Sequence, residues 1–84
     1  FTMESMFSEN DLINLISSLL GVNHSDVTHS STSDDFDQWD SVMQLEIIAH
    51  IEQSIPGLID FAPELPSKGS VYEIWLEVKR FQNQ

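Results

Sequence analysis

From Ser41 to Ile55 an apolar side chain returns every third or fourth residue, and a chain with that spacing buries itself best as an amphipathic helix. Ile47, Ile48, Ile51 and Ile55 share one stripe suited to a core, while Val42, Leu45 and Ala49 fall on a flank beside Ser41. Asp40 is a good N-cap, since a carboxylate there accepts from the unpaired N–H groups of the first turn. Ser41 is then the first helical residue, with its hydroxyl at the positive end of the helix dipole, where a phosphate ester is stabilised. The helix is predicted over Ser41 to about Ser54, because Pro56 pushes Ile55 out of the helical region.

Two further segments carry the same period. Leu12, Ile13, Leu15, Ile16, Leu19 and Leu20 predict a helix from about Glu9 to Leu20, with Ser8 as cap, Asp11 closing a capping box and Gly21 ending it. Val71, Ile74, Trp75 and Val78 predict a last helix capped by Ser67 or Ser70, with Lys79 and Arg80 complementing the dipole in its final turn. Between the first two helices, Val22 to Gln38 is polar and reads as a long loop, a kind of segment that tends to be functional or flexible. Val27 and Phe36 are its expected anchors, and Trp39 is expected to be partly buried. In Leu58 to Pro66, Pro63 and Pro66 allow about one helical turn, with Phe61 and Leu65 as lids on the core. The expected fold is all-α: a small right-handed bundle of three principal helices with at most one short extra helix. A single domain spans 1–84, with 1–7 a flexible N-terminal segment, since 84 residues support one modest core.

The chain has 14 acidic and 3 basic residues, a formal charge of −11, and its only basic side chains are Lys68, Lys79 and Arg80. Such a surface repels nucleic acid and anionic lipid and attracts proteins with basic patches. No apolar run approaches the ~20 residues of a membrane span, and no signal-peptide pattern opens the chain, so a cytoplasmic protein is expected. Without cysteine the chain has no disulfide and no thiol of its own, so a thioester would need a prosthetic group. An EF-hand counted from Asp35 would use Asp35, Asp37 and Glu46, but Trp39 and Asp40 stand at loop positions five and six, where a ligand and a glycine are required. His24, His29 and His50 lack metal-pair spacing and are expected to be exposed. No Gly-x-Ser-x-Gly elbow surrounds Ser41, so catalysis by this domain alone is not expected.

The tripeptide Asp40-Ser41-Val42 resembles the attachment motif of the acyl and peptidyl carrier proteins, whose Asp-Ser-Leu serine carries 4′-phosphopantetheine at the start of the second helix. The likeness extends to apolar Val42, Leu45, Ile47, Ile48, Ile51 and Ile55, to acidic Glu46 and Glu52, and to Ser70-Val71 opening the last helix. It is strongest from Phe36 to Ile55 and weakest from Pro56 to Lys68. The resemblance implies a carrier rather than an enzyme: Ser41, next to Asp40, bears the arm, and Val42, Leu45, Glu46, Ala49 and Glu52 face partner enzymes. Those partners would be a phosphopantetheinyl transferase and acyl- or aminoacyl-loading enzymes with basic docking patches, met by a monomer. The alternative is a carrier-like interaction module that is never modified.

Overall fold

The computed structural model describes residues 7–84. Among them the chain forms an all-α bundle of three principal helices, α1 (Glu9–Leu20), α2 (Ser41–Ser54) and α4 (Val71–Gln82), with a one-turn helix α3 (Leu58–Phe61) between the last two. Of the N-terminal segment 1–7, residues 1–6 lie outside the described region. Phe7 is held, because its N–H donates to Gln82 Oε1 and its carbonyl accepts from Gln82 Nε2, both at 2.8 Å.

Local chemistry sets the helix ends. The Ser8 hydroxyl accepts from the Asp11 N–H, and the Asp11 carboxylate accepts from the Ser8 N–H in return, the reciprocal arrangement that starts α1. Gly21 closes it at φ 75°, a left-handed conformation that costs glycine nothing. Ser70, not Ser67, caps α4. The α3 turn begins at Gly57, φ 101°, and a Cβ there would also meet the Phe81 ring at 3.3 Å.

One apolar cluster fills the interior. Leu12 and Ile16 from α1, Ile47, Ile48 and Ile51 from α2, Leu58 from α3, and Val71, Ile74 and Val78 from α4 are all buried in it. Leu65 is fully buried, whereas Phe61 is half-buried and packs on Phe81, with ring centroids 5.3 Å apart. The expected stripes on α2 are present, with Ile55 partly buried at the end of the core face.

The loop between α1 and α2 is fastened along its length. Short 3-10 turns at His24–Asp26 and Ser33–Asp35 reduce its free length. Val27 anchors it in the core, and Phe36 packs half-buried against the same cluster. Thr32 and Ser70 form an isolated antiparallel bridge. Around it the Ser33 N–H donates to the Gly69 carbonyl at 2.8 Å and the Val71 N–H donates to the Ser31 carbonyl at 3.0 Å. His29 pairs with Glu9 and sets its ring edge-on to Tyr72, tying the loop to α1 and α4. No helix among the described residues is long and apolar enough to cross a membrane.

Candidate functional site

Ser41 is exposed at the first residue of α2. Asp40 caps the helix as expected: its Oδ1 accepts from the Met43 N–H at 2.9 Å, and its carbonyl accepts from the Gln44 N–H at 2.9 Å. The N–H groups of Ser41 and Val42 find no acceptor among the described residues, which leaves that helix end partly positive beside the hydroxyl.

An open cleft of about 230 Å³ lies against this helix end, between Asp40, Ser41 and Gln44 on one side and Ser33, Ser67 and Gly69 on the other. A Cβ at Gly69 would stand 2.9 Å from Ser33 Oγ, so any side chain there would crowd the Ser33 wall of the cleft. Trp39 lines the cleft as well, yet only 3% of it is exposed. It is therefore fully buried rather than partly so, and the reason is polar. Its indole N–H donates to Gln44 Oε1 at 2.6 Å, and a buried indole with a partner has no need to reach water.

Gln44 is 5% exposed and has its amide fully engaged. Its Nε2 donates to the carbonyls of Leu65 at 3.1 Å and Lys68 at 2.8 Å. The side chain thus joins Trp39, α2 and the 65–68 turn. From the sequence Gln44 reads only as a polar residue on the stripe of Ile47, Ile48 and Ile51 and Ser67 only as an alternative cap for the last helix, while Ser33 and Gly69 carry no signal.

Of the residues expected to face partners, Val42 and Leu45 are 66% and 57% exposed, and Glu46 and Ala49 are exposed beside them. Glu52 is different. Its carboxylate accepts from the N–H groups of Gly57 at 2.8 Å and Ile59 at 2.9 Å, so it caps α3 instead of standing open on the α2 flank. Helical spacing alone hid this, because the partner N–H groups follow a turn. These backbone donors hold its carboxyl below the ordinary glutamate range. A depressed folded value means that Glu52 stabilises the fold above the unfolded carboxylate range and that this contribution disappears as pH falls through the folded value. Glu52→Gln is accordingly expected to flatten the acid limb of a stability-versus-pH profile below the ordinary glutamate range, measured by urea denaturation; an unchanged limb would separate Glu52 from acid stability.

The histidines stand apart. His24 lies against Asn10 and His29 against Glu9, and both are exposed. His50 is half-buried, with Nδ1 2.8 Å from the Glu46 carbonyl, which puts the proton on Nδ1 because a carbonyl only accepts. Among the described residues no group of His, Asp and Glu gathers to hold a metal ion. Comparison of the chain with protein-family models, with curated proteins and with solved structures found no match.

Proposed function

We propose that this domain is a carrier protein, with Ser41 as the attachment point of a 4′-phosphopantetheine arm and α2 as the face that partner enzymes bind. The observation that supports this best is the setting of Ser41. An exposed hydroxyl stands at a capped helix start with two unpaired N–H groups, on the lip of a cleft and next to exposed Val42 and Leu45. Ser41 Oγ would hold the phosphodiester, whose negative charge the N–H groups of Ser41 and Val42 favour. Once attached, the arm supplies the thiol that this cysteine-free chain lacks. The core keeps Ser41 on a rigid helix end, and partners perform the chemistry on an acyl or aminoacyl group. Under this reading the domain works as a cytoplasmic monomer.

Incubation with coenzyme A and a broad-specificity phosphopantetheinyl transferase is expected to add one phosphopantetheinyl group by intact mass, and Ser41→Ala to add none. Wild type left unmodified by several transferases would favour an interaction module that is never modified. Labelling of the alanine variant would remove Ser41 from the reading.

Docking is expected to be electrostatic, because neither α2 nor anything before it carries Lys or Arg. Glu46 is the residue to test, since reversal of Glu52 would uncap α3. Glu46→Lys should raise the apparent KM for modification more at low salt than at high, as added salt shortens the ~10 Å Debye length of 0.1 M solution. Equal kinetics at both salt concentrations, with helicity intact by circular dichroism, would make Glu46 a solvated surface residue.

A further inference from the structure

The cleft beside Ser41 ends on a polar side chain that has no part in the attachment itself. Gln44 lies on the α2 stripe of Ile47, Ile48 and Ile51, all of them core residues, and it bridges to the carbonyls of Leu65 and Lys68. We propose that Gln44 is a latch that holds the 65–68 turn against α2 and keeps an apolar cargo out of the interior. The cargo class that follows is short or polar: small acyl, hydroxyacyl or aminoacyl groups that stay in solvent. This deepens the carrier reading and rests on it for the identity of the cargo.

Three observations carry the latch. At about 230 Å³ the open cleft falls below the ~300–1,000 Å³ of pockets that enclose a drug-sized ligand. An apolar chain passing between α2 and the turn would have to part both Gln44 bonds; the Leu65 carbonyl keeps the Lys68 N–H at 2.9 Å, but the Lys68 carbonyl and the Gln44 amide N–H groups would be left unpaired against hydrocarbon, which is strongly unfavourable. Gln44 is also immobilised from its other end by the Trp39 indole, so it does not swing aside without orphaning that buried N–H. If a chain did enter, each buried methylene would favour occupancy by about fourfold, so exclusion and entry differ sharply in their dependence on chain length.

The test loads the thiol of the phosphopantetheine arm on Ser41 with acetyl, hexanoyl and octanoyl groups and follows thioester cleavage by hydroxylamine, together with the methyl NMR signals of Ile47, Ile51 and Leu65. In wild type, cleavage rates and methyl positions should not depend on chain length. In Gln44→Ala, rates should fall as the chain lengthens and the three methyl signals should move. Gln44→Met serves the same purpose with nearly the original volume should the alanine variant lose its fold. Chain-length dependence in wild type would overturn the exclusion, and its absence in a folded Gln44 variant would overturn the role of Gln44. If Ser41 accepts no arm, the carrier reading fails separately. Titrating the unmodified proteins with 1-decanol, an uncharged chain that the acidic surface does not repel, then tests the latch: methyl shifts only in the Gln44 variants are expected, and shifts in wild type, or in neither protein, would overturn it.

Discussion

Replacing Ile51 with alanine is expected to lower the unfolding free energy by about 2–5 kcal/mol, the usual range for truncating a buried isoleucine. Ile51 is 0% exposed within a cluster to which all four helices contribute, so the cavity would open where several elements meet and none is free to collapse into it. Val42 on the same helix is 66% exposed. Val42→Ala should stay within about 0.5 kcal/mol of wild type, since it opens no cavity, and alanine's better helix propensity offsets part of the lost contact. Urea denaturation with an unchanged m-value is the measurement. Similar losses for the two variants would mean that α2 presents a different face to the core.

The second large effect is expected at Trp39. Trp39→Ala should cost about 3–5 kcal/mol, as for other buried aromatics. Trp39→Phe keeps most of the apolar area but leaves Gln44 Oε1 without its donor, at a cost of about 1–3 kcal/mol for a buried unpaired group. The order wild type, Phe, Ala separates the hydrogen bond from the packing. Equal losses for Phe and Ala would assign the whole effect to the indole N–H, and no loss for Phe would remove that bond from the stability of the fold.

The parts of the fold that rest on short-range chemistry are legible in the sequence. The three long helices follow from apolar spacing, and their ends from Ser8, Gly21, Asp40 and Pro56, all of which act on neighbours within a turn or so. Ser41 at a helix start is the same kind of inference. What stayed hidden depends on partners brought together by the turns. Trp39 is buried wholly because Gln44 waits five residues on, and Gln44 accepts that burial because of carbonyls 21 and 24 residues further along. Glu52 looked like surface charge because the N–H groups it accepts from lie beyond Pro56. The loop from Val22 to Gln38 looked loose because its fastenings, Gly69, Ser70 and Val71, lie at the opening of α4. The walls of the cleft share that origin, so the attachment residue could be read in advance but not its surroundings.

The paired amide bonds between Phe7 and Gln82 draw the fold into a nearly closed ring, its first described residue clasped to the last turn of α4. Chain joined at position 7 and chain joined at position 82 would therefore meet the bundle at the same corner. Such a body can be threaded into a longer polypeptide like a bead that hangs from one point, with the bundle undisturbed by what flanks it. It also suits circular permutation, where a short linker replaces the clasp and new ends are opened at an exposed turn.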